Sequence, residues 1–444
     1  MQPYRLICRL FRLVAAAAIV LSVPLPAAAL LGDEYGPFGL GGSIRGIGIY
    51  LDDNHCRALQ KAQDDLMYQI IARLTAAGRP ADRIKYEAHL VHAYSSWSSH
   101  VLSASGTGGG AATGQLDRGR LYRVVDESWD MLTDLGGRAE MTLDRFNLRY
   151  AFDWGDLTVG RQAVTFGKAW FWNPMDVFLP FDPGQFDRDY KAGVDAVRLD
   201  VPLGMFSGLT FIAAGGREIG PDGQYADDGK IAGVDIYGSA LLARGYTHYK
   251  GWDIAVQGGK VYGGYHISAG GVGEVSGVQI RAEAAQFWAY DSPVLPRPFT
   301  GDIFETQLSA VFGMGYHFKS SLDLEFEVLY NGGGENDPDG YAQALIRQSH
   351  GIIPHLSRWL AGLKFSYEIT PLITGNLLLI QSVSDDSRML QPYMNVSLSD
   401  NAELIAGAAF NFGDPPECGT ATGHLKSEFG AYPHQFFTEV KLYF

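Results

Sequence analysis

The chain has only three cysteines in 444 residues. It also lacks any run approaching the ~18 apolar residues that a membrane helix needs. It has no CxxCH, HExxH or GxSxG motif, so the usual sequence signs of covalent haem, a zinc-protease centre and a serine nucleophile elbow are missing. Gly106–Gly110 is glycine-rich but has no following Lys-Ser/Thr to hold a phosphate, and it reads as a flexible loop. Asp337-Pro338-Asp339-Gly340 carries too few carboxylates at calcium spacing and reads as a turn. Histidines are scattered, and His89 and His92 point to opposite faces of any strand that carries both. No metal, cofactor or enzyme activity is expected. Basic charge is scarce as well: 35 Lys and Arg stand against 49 Asp and Glu, for a net charge of −14. That balance argues against a nucleic-acid partner.

The N-terminus has a distinct pattern. Arg5, Arg9 and Arg12 precede the apolar stretch Leu13–Val23, which is followed by Pro24, Pro26 and the small residues Ala27-Ala28-Ala29. This is the pattern of a secretory signal peptide over residues 1–29. Cys8 lies inside it, and losing its three arginines takes the net charge from −14 to −17. Export allows Cys56 and Cys418 to form one long-range disulfide; two separate buried thiols are the alternative.

From residue 84 onward, segments of about ten residues alternate apolar and polar and are separated by turn residues. Ile84–Ser96, Arg138–Phe152, Asp156–Gly167, Val194–Val201, Gly208–Ala214, Val234–His248 and Trp252–Val261 begin the series. A weak, glycine-rich strand around Tyr265–Gly270 follows, then Val278–Trp288, Glu305–Phe318, Leu322–Tyr330, Ser357–Ile369, Ile373–Val383, Arg388–Leu398, Ala402–Phe412 and Gln435–Phe444. The faces are consistent. Leu322, Leu324, Phe326, Val328 and Tyr330 oppose Asp323, Glu325 and Glu327. Short turns alternate with the long connections 97–137, 168–193, 215–233, 289–304, 331–356 and 413–434. Trp154, Trp252, Tyr290, Tyr330 and Tyr443 fall near strand ends, where interfacial aromatic girdles lie. This pattern predicts an all-β transmembrane antiparallel barrel over 84–444, of about sixteen strands, with fourteen or eighteen as alternatives. Residues 30–83 read as a separate N-terminal segment beneath or inside the barrel. Leu59, Leu66, Ile70 and Leu74 suggest a helix from about His55 to Ala77, ended by Gly78 and Pro80. If Cys56 pairs with Cys418, that segment threads the lumen as a plug.

The final strand, Phe436–Phe444, places Phe444, Leu442, Val440, Thr438 and Phe436 on one face and Glu439 and Lys441 on the other. An amphipathic strand ending in Phe resembles the closing strand of bacterial outer-membrane β-barrels. That resemblance implies that the strand, with Phe444, is read as an assembly signal by the barrel-assembly machinery, and that the chain resides in the outer membrane. Val159-Gly160-Arg161-Gln162 resembles the early-strand VGR/GRQ pattern of Gram-negative porins and would imply a lumen-facing Arg161. There is a looser likeness to barrels that export anionic polysaccharides. The helical pre-barrel segment departs from the pattern of trimeric general porins, so the resemblance does not extend to trimerisation.

A barrel of this size encloses water rather than a packed core. The expected pore-lining residues are Arg145, Arg149, Arg161, Arg198, Arg281, Glu283, Asp323, Glu325, Glu327, Lys364, Glu439 and Lys441. Opposed charges of this kind would set up a field across the pore. The connection through Asp176, Asp182, Asp187, Arg188 and Asp189 is dense in charge and aromatics and is the expected constriction. Three functions follow: a channel for passage or export of small polar or charged solutes, a sleeve around a periplasmic or extracellular partner such as a cytochrome, and an outer-membrane enzyme. The first fits best, with outer-membrane lipid and a small polar solute as partners.

Overall fold

A computed structural model describes residues 31–33, 36–52, 65–96, 122–125, 128–134, 137–178, 180, 183–185, 188–217, 234–290, 304–349, 351–417 and 424–444. The signal peptide, Cys56, Cys418, Asp182 and Asp187 lie outside these residues, so the disulfide and the plug it implies do too.

The first strands are β1 (Leu31–Gly32), β2 (Gly39–Asp52), β3 (Asp65–Ala81), β4 (Ile84–Ser96), β5 (Ser128–Asp134), β6 (Gly137–Ala151) and β7 (Asp156–Gln162). Next come β8 (Val194–Pro202), β9 (Ser207–Arg217), β10 (Val234–Tyr249), β11 (Trp252–Val261), β12 (Gly264–Val275) and β13 (Val278–Ala289). The last are β14 (Gln307–His317), β15 (Leu322–Asn331), β16 (Trp359–Thr370), β17 (Ile373–Ser382), β18 (Arg388–Ser399), β19 (Ala402–Phe412) and β20 (His434–Tyr443). Among the described residues there is one α-helix, α1 (Tyr341–Ser349), between β15 and β16.

All neighbours are antiparallel, and β20 pairs with β2 from Ser43↔Tyr443 to Asp52↔His434, closing the sheet on itself. β1 only extends the edge of β2, and β5 lies beside the upper half of β6. Without those two, the twenty strands leave a ring of eighteen.

The sheet forms because side chains alternate. On β6, Phe146 and Leu148 are 58% and 52% exposed on the outside, while Arg145, Asn147 and Arg149 face in. Phe312, Met314 and Tyr316 on β14, and Trp359, Tyr367 and Ile369 on β16, continue that outer belt. So continuous an apolar exterior is at home in lipid rather than in water. Among the described residues no helix is long and apolar enough to cross a membrane.

Turns on one rim are short. Two of them, Lys250-Gly251 and Ser276-Gly277, have positive φ at both residues, the type I′ geometry that matches strand twist. The longer connections, from β7 to β8, β13 to β14, β15 to β16 and β19 to β20, leave from the other rim. The C-terminus lies on the short-turn rim.

The ring has eighteen strands, one of the counts expected beside sixteen, and the weak glycine-rich strand is real, as β12. The extra pair is β2 and β3, which occupy the wall where a separate segment with a helix was expected. The cause is spacing. Leu66, Ile70 and Leu74 recur every four residues, which suits a helix but also keeps one face of a strand, since four is even. The structure selects the strand: Ile70 and Leu74 are exposed on the outer face and Ile71 and Arg73 are buried on the inner one. Gly78 and Pro80 do not end a helix. They sit at a register shift between Gly78 and Ala81, where a proline is tolerated in a sheet. Residues 55–64 of the expected helix lie outside the described residues.

Candidate functional site: the lumen and its inward loop

In a ring of eighteen, strands nine places apart face each other. β3 therefore stands opposite β13, and β6 opposite β15. Inward residues of β13 and β15 make an acidic wall of Glu283, Asp323, Glu325 and Glu327, with Arg281 among them. Across from it, β2, β3, β6 and β20 present Arg45, Arg73, Arg145, Arg149 and Lys441, with Glu439 3.9 Å from Arg45.

The described residues of the connection between β7 and β8 (163–178, 180, 183–185 and 188–193) fold inward and join these walls. On the acidic side, Glu283 accepts the backbone N–H groups of Lys168, Ala169 (3.0 Å) and Met175 (3.4 Å). Glu327 accepts those of Trp170 and Phe171 (2.7 Å). Arg281 bridges Glu325 at 3.0 Å and Glu327 at 3.6 Å. A buried carboxylate that receives several N–H donors is a strong, charge-assisted anchor. Gln257 donates to the carbonyl of Met175 at 2.5 Å, and Gln391 to that of Gly184 at 3.2 Å.

On the basic side, Lys441 pairs with Asp189. The ring of Tyr190 lies 3.3 Å from the Arg73 guanidinium carbon and 4.4 Å from that of Arg145, and its hydroxyl is 3.2 Å from His89 Nδ1. Burial, with Asp144 beside it, pushes the Tyr190 phenol well above its usual range. Arg145 donates to the Lys191 carbonyl from Nε (3.2 Å) and Nη2 (2.6 Å). The Lys191 ammonium meets Asp176 at 2.5 Å with both side chains buried, and burial lowers its pKa against the pull of that carboxylate. In the middle of the span, Arg188 Nη1 donates to the Trp170 carbonyl at 2.6 Å. The Arg188 guanidinium and the Lys364 ammonium each lie 4.4 Å from the Trp170 ring centre.

Glycines on the lumen face make room for the loop. A Cβ on Gly362 would meet the Phe171 ring at 3.0 Å, and one on Gly270 would meet Met175 Sδ at 2.8 Å.

Other expected residues do not touch the loop. Arg198 pairs with Asp200, and on the two walls Arg149 pairs with Asp156 and Asp323 with His317 (2.6 Å), nearer the short-turn rim. Arg161, expected to face the lumen, is 3% exposed. Its register pairs it with Phe146, which is outward, and with Asp195. It chelates Asp195 and donates to the carbonyls of Leu143 and Val125, so it clamps the wall where β7 stops. Sequence reasoning missed Arg73, Gln257, Gln391, Trp170 and Tyr190. The helical reading hid Arg73; the two glutamines stood as single polar residues on lumen parity.

Toward the long-loop rim, α1 and its neighbours form a cap. The Tyr341 hydroxyl donates to Asp385 at 2.5 Å and meets Ser357 at 2.7 Å, while His355 Nδ1 lies 3.0 Å from Glu428. Asp337 accepts from the Asp339 N–H and starts a short 3-10 turn.

A closed ring with an apolar belt, a charged interior and a chain segment folded into the lumen defines a class: the transmembrane β-barrel of outer-membrane porin type. No protein-family model matches the chain, and no curated protein matches it by sequence. Among solved structures, Acinetobacter baumannii OccAB4 is similar at a TM-score of 0.51 and 9% identity, over 95% of this chain and 100% of that one. Pseudomonas aeruginosa OccK11 (OpdR) is similar at 0.51 and 8%, over 94% and 100%. Pseudomonas aeruginosa OpdK, solved with vanillate, is similar at 0.50 and 8%, over 91% and 98%. At such identities the likeness is one of fold.

Proposed function

We propose that the protein is an outer-membrane channel for passive passage of small polar or charged solutes, narrowed by residues 163–193. The observation that carries this reading is the inward loop held between opposed acidic and basic walls. Such an arrangement keeps a wet, charged passage open yet constricted. The interior holds the protein's own loop, which argues against a sleeve around a separate protein. The solved neighbours are porins, which favours a channel over an enzyme. Glu283 and Glu327 are occupied by backbone N–H groups, and Lys364 and Arg188 both lie against the Trp170 ring, so charge of each sign is partly engaged by the loop. The vanillate bound by OpdK supplies a probe of suitable chemistry.

The test is conductance of the refolded mature chain in a planar bilayer, with vanillate flux into proteoliposomes alongside. Steady conductance with measurable vanillate entry is expected. A barrel that is folded but closed to both would overturn the channel.

A further inference from the structure

Several connections on the long-loop rim meet in one polar network. The connection before β16 supplies Tyr341, His355 and Ser357. The end of β17 and the turn after it supply Ser382, Asp385 and Ser387. The stretch before β20 supplies Glu428. Glu428 accepts the Ser357 N–H at 2.7 Å and donates its own N–H to Asp385 at 2.6 Å. Asp385 also accepts the Tyr341 hydroxyl (2.5 Å) and both the N–H (2.9 Å) and the hydroxyl (2.6 Å) of Ser387. Ser357 completes the ring of contacts, with its hydroxyl 2.7 Å from that of Tyr341 and 2.8 Å from that of Ser382.

His355 joins this network to the inward loop. It is 2% exposed, and its Nδ1 lies 3.0 Å from Glu428, which is fully buried. Its ring centre is 5.9 Å from that of Trp172 in the loop and 6.1 Å from that of Phe429. Trp172 and Phe429 belong to one buried cluster with Phe171. The charges in the network do not balance. It holds two carboxylates, and among the described residues neither is paired with a Lys or Arg. Arg347 and Arg358 of the same connection pair with Glu305 and Glu335, and Lys426 pairs with Glu417. A buried anion without a cation is costly. His355 is the group placed to supply one. Since Nδ1 donates to the carboxylate, Nε2 is the nitrogen that titrates, and it has no hydrogen-bond partner. A proton there turns the contact with Glu428 into an ion pair and brings a cation within cation–π range of Trp172.

We propose that His355 is an acid-strengthened latch that ties the cap to the inward loop and steadies the passage. Protonated, it fastens Trp172 and Glu428 together. Neutral, it leaves the two carboxylates unbalanced and the joint loosens. The hold is therefore full in acid and is lost as pH rises through the imidazole range, about pH 5 to 8. Glu283 and Glu327 anchor the loop at either pH, so the change is one of fluctuation rather than of position. This regulation rests on the channel reading.

The test records single-channel current of the refolded mature chain at about pH 5.5 and about pH 8, with the melting midpoint of the same protein alongside. Brief closures are expected to be several-fold more frequent at the higher pH. His355→Gln keeps a donor for Glu428 but does not titrate. It should flatten the closure profile, and its deficit in melting midpoint against the unmodified protein should shrink as pH rises. Closures indifferent to pH overturn the latch, as does a pH dependence that survives in His355→Gln. If that variant does not fold, Glu428→Gln decides. It removes the charge that the imidazolium meets, so an undiminished pH dependence of closures in it rejects the latch. Absence of current at both pH values would count against the channel reading instead. The melting profiles then judge the latch by themselves, and a deficit that does not change with pH overturns it.

Discussion

At the scale of single residues, the lumen is organised by carboxylates that hold backbone rather than solute. Glu283 and Glu327 between them accept five N–H groups from the inward loop. Replacing Glu283 with Ala leaves its donors unpaired in a buried site, at about 1–3 kcal/mol for each. The expected result is a lower thermal or urea midpoint and a larger, noisier single-channel conductance as the loop loosens. Glu283→Gln should show a milder form of both, because an amide oxygen still accepts but without the charge. An unaltered current in the alanine variant would show that the loop does not limit the passage. Gly362 gives a second check. A leucine there collides with the Phe171 ring, and overpacking of this kind costs about 1–3 kcal/mol. Gly362→Leu should shift the conductance while the barrel still runs as a folded species on unheated gels. At Arg161 the expected effect is on stability. Arg161→Ala leaves Asp195 without its main cation, and loss of one partner of a buried pair costs about 3–5 kcal/mol.

Among the elements, the last strand carries the most direct prediction. Phe444 exchanges hydrogen bonds with Gly42, donating its N–H at 3.0 Å and accepting at 2.7 Å, so it completes the ladder to β2. Deleting it, or replacing it with Ala, should lower the amount of folded barrel in outer membranes, read as the fraction that shifts mobility on heating. A normal folded fraction would remove its proposed role as an assembly signal. Elements also show what could be read from the sequence. From β4 onward nearly every strand announced itself, because lipid and water on opposite sides impose strict alternation. β2 and β3 escaped for two physical reasons. Glycine supplies no alternation along Leu40–Ile49, and a spacing of four between apolar residues fits a helix and a strand alike. β7 was expected to run to Gly167, yet it stops at Gln162. Residues 163–167 keep apolar character because they pack inside against the loop cluster, and periodicity does not distinguish that from a strand. Strand parity puts Glu283, Glu325 and Glu327 on the face opposite the outer apolar belt, whereas Arg161, expected there too, sits in register with the outward Phe146. The partners of the lumen residues were not legible, since Glu283 is bound to atoms more than a hundred positions away.

For the molecule as a whole, charge is arranged across the pore rather than along it. Acidic β13 and β15 oppose basic β3 and β6, and both sides are partly satisfied by the same loop. Reversal potentials under a salt gradient should therefore show only modest ion selectivity, which fades at high ionic strength as screening shortens the reach of the exposed charges. Near-ideal selection for either sign would contradict the facing assigned to these strands. Closure of the ring has its own consequence. The strand made last must find one of the strands made first, so the seam joins partners almost four hundred positions apart along the chain. Until that seam forms, every partial sheet exposes two raw edges that can pair with a wrong neighbour. Such a chain is poorly suited to fold as it is made and gains by being held unfolded until its end is in reach. The same seam makes the order of synthesis arbitrary for the finished ring. With Gly39 and Phe444 on one rim, a permuted chain joined there and opened at Ser276-Gly277 would describe the same cylinder from a different starting point.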